Sequence, residues 1–369
     1  MSNGLNFSCR LRRTPYTARA EEAGVRGFSV VNHMLLPKAY ARSVEEDYWH
    51  LREHVQIWDV ACQRQVQIKG PDAAQLIQWM TPRNIDEAEV GDCLYLPLID
   101  EQAGMINDPV LLKISENCFW LSIADSDVLL FAKGLALGLG LKVDIAEPDV
   151  SPLAVQGPKA EAVMEDLFGD AVRKINFFKF GWFEFQGSTQ LIARSGYSRQ
   201  GGFEIYLQGA EYGAMLWDAV CDAGQAYNIA PGCPNIIERI EGGLLSYGND
   251  MTRDNNPLEM GLSRFCSMDD SVNYLGREAL RRIASEGVQR EIRAVVFEGE
   301  PCPACATRWP VTVNGQQVGA ITSAAWSPRL KANVGLALID RDFWESGQPV
   351  DVWTNDSVQW SGRIGGLPL

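Results

Sequence analysis

The sequence predicts an α+β protein that ends in a small β-barrel. Three observations carry this. Segments of period-2 and period-3.6 hydrophobicity are interleaved from about residue 62 to 245. After Glu286-Gly287 the texture changes to short apolar strands separated by turns. The chain has 369 residues, 46% apolar and 22% charged, enough for two or three ordinary domains and a full core.

The elements follow in order. Cys62 to Lys69 alternates Cys62, Val66 and Ile68 on one face, a strand. Gly70-Pro71 punctuates, and Asp72 to Met80 reads as a helix with Ala73, Leu76, Ile77 and Met80 on one stripe. Cys118 to Ala124 is an apolar strand, and Asp125-Ser-Asp127 supplies caps for the helix after it. Leu153 to Val155 is a strand; Gly157-Pro158 then opens a helix that buries Ala160, Val163, Met164, Leu167 and Phe168. Gln186-Gly187-Ser188 between Phe183–Phe185 and Leu191–Ala193 signals a hairpin. Gly202 to Leu207 is a strand, and Glu211 to Ala223 and Asn235 to Leu245 are helices. Beyond residue 288, Val295–Phe297, Val311–Val313, Val318–Thr322, Val334–Leu338 and Val350–Trp353 are the barrel strands.

Composition excludes several classes. Acids outnumber bases 47 to 33, a net charge of −14, against a nucleic-acid partner. The most apolar stretch, Val128 to Val143, carries Lys133, Lys142 and three glycines, too interrupted to span a bilayer. The first 26 residues lack an apolar leader core, so a cytoplasmic location is expected. Nine scattered cysteines are no disulfide framework. Only Cys302-Pro-Ala-Cys305 has metal or redox spacing; no second ligand pair lies near it, so no metal is expected. The glycine patterns of NAD and ATP sites are missing.

Four patches can carry chemistry, and each also has a plain structural reading. Gly104 to Val110 places Asp108 before Pro109, either a solvated turn or a poised acid. Ala154 to Pro158 is a strand ending in a Gly-Pro helix start, and a simple strand-to-helix junction explains it completely. Arg194 to Tyr206 is a glycine-rich turn feeding a strand, with Phe203 and Ile205 on one face and Glu204 and Tyr206 on the other. That second face is either solvated or reads a heterocycle, because a carboxylate accepts two parallel hydrogen bonds. Glu238 to Asp250 reads as a charged helix ended by Gly and Asn.

Together and in this order, these segments resemble the glycine-cleavage T-protein family of folate-dependent one-carbon transferases. The segments are Trp58-Asp-Val60, Gly104 to Pro109, Val155 to Lys159, Arg194 to Ile205, Glu238 to Asp250 and Thr322 to Lys331. Within that family the likeness is strongest to dimethylsulfoniopropionate (DMSP) demethylases. It is carried by Arg10 to Pro37, Asp47 to Trp58, Asn107 to Pro109, Ala124 to Asp127, Tyr197 to Gly202 and Gly232 to Asn235.

The resemblance implies a three-domain arrangement around a central folate channel. Its parts would be residues 1–60 with 150–230, 61–149 with 231–287, and the barrel 288–369. It implies tetrahydrofolate as cofactor, bound by Tyr95, Asp108, Ser122, Phe178 and Glu204, with Asp108 also catalytic. Tyr197, Tyr206 and Trp326 are then the substrate-binding aromatics, since a sulfonium cation favours aromatic faces. Ala124 and Asn235 replace the Asn and Arg usual in T-proteins at these positions. The implied activity is demethylation of DMSP to 3-methylthiopropionate with formation of 5-methyltetrahydrofolate. It needs no lipoyl carrier protein and leaves a homodimer open. The alternatives are an aminomethyltransferase, a demethylase of another onium or N-methyl compound, or a non-catalytic folate-binding assembly factor. The Lys-Gly-Cys-Tyr motif of such factors is replaced here by Ile240 to Tyr247.

Overall fold

The computed structural model describes residues 8–354 and 358–369. The chain forms two compact units. The first comprises Met1–Ile77, Ile85–Leu96 and Pro109–Asn235; the second comprises Gln78–Asn84, Pro97–Asp108 and Ile236–Leu369.

The first unit holds two sheets. One has six strands in the order Phe180–Phe185, Ser188–Ala193, Gly202–Gln208, Val150–Gln156, Val55–Asp59 and Ile229–Pro231. Its neighbours are antiparallel except the last pair, which is parallel. The other has five antiparallel strands, Asp144–Ala146, Gln65–Lys69, Cys118–Ser122, Val110–Ser115 and Cys93–Tyr95. The helices Ala160–Phe168 and Gly213–Gly224 bury Val163, Met164, Leu216 and Val220 in one core with Ile57, Phe203 and Ile205. Val150, Leu191 and Tyr206 instead join Cys93, Leu112 and Trp120 of the five-stranded sheet in a second core. The six-stranded sheet is thus covered on both sides, and every residue from Phe203 to Leu207 is buried. Alternation along that strand separates two cores, so its Glu204–Tyr206 face is not a solvated one.

The second unit contains a closed barrel in the order Arg290–Phe297, Ala332–Asp340, Gln316–Ser327, Trp309–Val313, Pro349–Trp353 and Gln359–Gly365. Phe297, Trp309, Ile321, Val352 and Ile364 fill it. The helix Ile236–Glu241 sits on the barrel through a buried polar network. Arg239 donates to Asp250 at 2.7 Å, and Thr322 and Ser323 donate to the same carboxylate at 2.7 and 2.6 Å.

Some expectations shift. The helix expected over 235–245 ends at Glu241. Gly243 takes φ +65°, and the Leu244 N–H closes back on the Arg239 carbonyl at 2.8 Å, a glycine stop inside the apolar periodicity. The strand expected from Cys62 begins at Gln65. Asp127 occupies the N-cap of the helix Val128–Leu139 but makes no side-chain cap, whereas Asp125 accepts from the Asn32 N–H at 2.7 Å. The sixth barrel strand, Gln359–Gly365, has no apolar signal because Ile364 is its one buried residue. The helix Val44–Glu53 is set by a Ser43–Glu46 capping box rather than by a strong apolar stripe. The hairpin between Phe185 and Ser188 forms as expected, with Gln186 and Gly187 both at positive φ. Among the described residues, no helix is long and apolar enough to cross a membrane.

Candidate active site

In the first unit the site is built on the strand Gly202–Gln208. Glu204 pairs in register with Ala154 on one side and Ala193 on the other, two small residues. Its carboxylate is 5% exposed. Burial holds its pKa above the usual carboxylate range, and the Ser195 hydroxyl, donating to Oε2 at 2.5 Å, draws it partly back. Tyr206, two residues on, shares this face and is fully buried. Burial and the Glu204 charge push its pKa well up. The Ser122 hydroxyl beside it draws that pKa partly back, but the two are too loosely aligned to satisfy the Tyr206 hydroxyl fully. An unsatisfied hydroxyl at that depth is costly and invites a ligand.

The other residues of this unit gather around that face. Ser122 ends a strand of the five-stranded sheet and accepts from Gln65 Nε2 at 3.0 Å. Phe178 packs on the cluster that holds Tyr206. It adopts φ +60°, and its N–H donates to the Arg194 carbonyl while its own carbonyl accepts from the Cys93 N–H. Cys93 is buried beside Glu204, and burial pushes its thiol far up. Tyr95 lies two residues further on the same strand, opposite Val110, half-buried. Tyr197 is half-buried in the loop that carries Ser195. Ala124 offers its carbonyl to Asn32 Nδ2 at 3.0 Å, and Asn235 Nδ2 donates to the Val44 carbonyl at 3.2 Å.

Asp108 and Trp326 belong to the second unit. Asp108 follows the strand Met105–Asn107 directly. The Tyr247 hydroxyl donates to the Met105 carbonyl at 3.0 Å. Burial raises the Tyr247 pKa; Arg253 lowers it, while Asp108 and Asp100 raise it, so tyrosine and acid lie within electrostatic reach. Asp100 accepts from the Gly104 N–H at 2.8 Å and from Arg253 at 3.2 Å. A Cβ at Gly104 would stand 2.4 Å from the Arg253 carbonyl, so glycine is required where this turn closes. Trp326 is half-buried on the strand Gln316–Ser327, opposite Asn333.

Of the residues expected from the sequence, Glu204, Tyr206, Ser122 and Phe178 therefore share one neighbourhood. Ser195, Cys93 and Tyr247 were not foreseen. Ser195 lies inside a motif already singled out, but its contact depends on how the loop returns, which spacing alone does not reveal. Cys302 and Cys305 are free thiols in an irregular segment beside the barrel.

The GCVT N-terminal domain family matches residues 16–270, and the glycine cleavage T-protein C-terminal barrel domain matches 290–365. The dimethylsulfoniopropionate demethylase DmdA of Ruegeria pomeroyi is 49% identical over 352 residues, covering 95% of this chain and 96% of that protein. The aminomethyltransferase of Caldanaerobacter subterraneus subsp. tengcongensis is 30% identical over 84% of this chain and 83% of that protein. The crystal structure of glycine cleavage system aminomethyltransferase T from Bartonella henselae shares the fold, with a TM-score of 0.86 at 22% identity over 97% of this chain and 98% of that one. The chain belongs to the glycine cleavage T-protein family, with both its N-terminal domain and its C-terminal barrel.

Proposed function

We propose that this protein is a tetrahydrofolate-dependent methyltransferase that demethylates DMSP to 3-methylthiopropionate. The observation that carries the cofactor is Glu204, a buried carboxylate steadied by a serine hydroxyl, with the unsatisfied Tyr206 hydroxyl on the same face. Two polar groups in apolar surroundings suit a flat heterocycle that brings parallel N–H donors, as a reduced pterin does. The 49% identity to a DMSP demethylase over 95% of the chain supports the choice of methyl donor.

When bound, tetrahydrofolate supplies the N5 nucleophile. Glu204, Tyr206, Ser122 and Tyr95 hold and orient it, and Phe178 packs beside them. Tyr197, Tyr206 and Trp326 offer ring faces to the sulfonium cation, each worth about 0.5–2 kcal/mol. When the methyl–sulfur bond breaks, its electron pair stays on sulfur and a neutral thioether leaves. No acid has to protonate that leaving group, and the proton that the methylated N5 would carry would pass to water, so Asp108 would serve by orienting the acceptor and balancing positive charge during transfer. Alignment is then the main contribution of the protein.

The same reading carries three domains with the boundaries expected from the sequence. The six-stranded sheet, the five-stranded sheet and the closed barrel each match one of the three, although the two sheets share one compact unit and residues 97–108 and 236–287 belong to the unit of the barrel. A small free methyl donor makes a lipoyl carrier unnecessary, and nine free thiols suit the reducing cytoplasm.

Purified protein with tetrahydrofolate, offered DMSP, dimethylglycine or glycine betaine in parallel, tests the proposal. The expected result is 3-methylthiopropionate and methylated folate from DMSP alone. Turnover confined to an amine overturns the sulfonium assignment, and absence of folate binding overturns the enzyme assignment.

A further inference from the structure

The loop of residues 194–201, between two strands of the six-stranded sheet, folds around a side chain that comes from a third strand. Gln156 ends the strand Val150–Gln156 and is fully buried. Its Nε2 donates to the Ser195 carbonyl at 3.1 Å and to the Phe203 carbonyl at 3.3 Å. Its Oε1 accepts from the Ser198 hydroxyl at 2.7 Å, and that hydroxyl accepts from the Gln200 N–H at 3.2 Å. One amide therefore touches the entry, the middle and the exit of the loop, with both donors and its acceptor engaged.

The glycines of the loop make room for this amide. A Cβ at Gly196 would stand 2.1 Å from Gln156 Oε1, and one at Gly202 would stand 2.6 Å from Nε2. Both glycines also take positive φ, +155° and +146°. Tyr197 sits between the tethered Ser195 and Ser198, and the Ser195 hydroxyl is the donor held against Glu204. The junction at Gln156-Gly-Pro158 thus does more than connect a strand to a helix.

We infer that Gln156 is a positioning residue of the active site: through Ser195, Ser198 and Phe203 it sets the place of Tyr197 and keeps the Ser195 hydroxyl on Glu204. The inference rests on the function proposed above and deepens it. It assigns the geometry of the site to a side chain whose amide, apart from a long contact to the Val155 carbonyl, is engaged with the loop and the start of the strand after it.

The test compares wild type with Gln156→Met, which keeps volume and removes the amide, and with Ser198→Ala, which removes only the Oε1 contact. The readouts are KM for tetrahydrofolate and for DMSP, kcat, melting temperature, and the acidic limb of tetrahydrofolate binding. Gln156→Met should raise both KM values about tenfold, because small displacements of aligned groups are costly. The acidic limb should move to higher pH. The ionised carboxylate is the form that accepts from the pterin, and Ser195 favours that form. The other groups facing Glu204, Cys93 and Tyr206, are unchanged in the variant. Ser198→Ala should shift the same quantities in the same direction by about threefold or less.

A Gln156→Met protein that melts lower but keeps both KM values and the acidic limb overturns the inference, since the amide then serves the fold alone. If that variant does not fold, unchanged constants in Ser198→Ala overturn it. A wild-type protein that neither binds tetrahydrofolate nor turns over DMSP overturns the functional reading, and the role of Gln156 falls with it. Wild-type turnover with unaltered variants removes only the role of Gln156.

Discussion

Glu204→Gln separates what the carboxylate does for the ligand from what it does to the fold. The substitution keeps the shape and one acceptor oxygen and removes the charge. In the free protein that charge is a burden. Glu204 is 5% exposed, and burial raises its pKa above the unfolded value of 4.5, with Ser195 pulling only partly back. A raised acid contributes stability below its unfolded pKa and loses it as pH rises through its folded pKa. Above that unfolded value the buried carboxylate costs stability that the neutral amide does not. The variant should therefore melt higher, by about 2 °C for each kcal/mol relieved, and the gap should shrink as pH falls toward 4.5. Ligand binding should move the other way. The amide loses one charge-assisted acceptor and turns an N–H toward donors of the pterin. The loss is about 2–4 kcal/mol, or roughly 30- to 1,000-fold in Kd for tetrahydrofolate. Thermal unfolding between about pH 4.5 and 8 without ligand, with a fluorescence titration of tetrahydrofolate at the upper pH, measures both sides. A variant that melts lower than wild type near neutral pH and binds within about threefold of it would refute the reasoning.

Two further outcomes concern stability. Arg239→Met leaves Asp250 buried and charged against Thr322 and Ser323, and should cost about 3–5 kcal/mol in urea unfolding. Adding Asp250→Asn should recover part of that loss, and a single variant as stable as wild type would contradict the network. Asp59, buried beside the Thr14 hydroxyl and the Ala61 N–H, has its pKa raised by burial from 3.8 to about 7. The stability it contributes is complete below about 3.8 and lost as pH rises through about 7. Asp59→Asn should exceed wild type by a margin that is smallest near pH 4, widens to about pH 7 and then stays level. A margin independent of pH in melting curves would count against it.

Local patterning carried much of this fold. The helix Ala160–Phe168 was legible from its apolar stripe, although Pro158 lies before the Lys159 N-cap and not in the first turn, and the hairpin at Gln186-Gly187 was legible from its turn chemistry. Five barrel strands were legible as short apolar runs, whereas Gln359–Gly365 was not, because it turns one buried residue inward and owes its place to closure between two neighbours. Apolar periodicity also overran the helix end at Glu241, since it does not register the glycine that stops the hydrogen bonds.

The site divides along the same line. That Glu204 and Tyr206 share a face follows from the two-residue repeat of a strand, a property of one segment alone. Whether that face meets water or a second core depends on a sheet whose strands lie between residues 65 and 146, and this decided that Glu204 is a buried acid. The grip of Gln156 on the loop after residue 194 is likewise a contact between strands some forty residues apart. Alternation and turn chemistry act over a few bonds and can be read from the chain; burial, and the pKa shifts it causes, belong to neighbours that only the folded protein assembles.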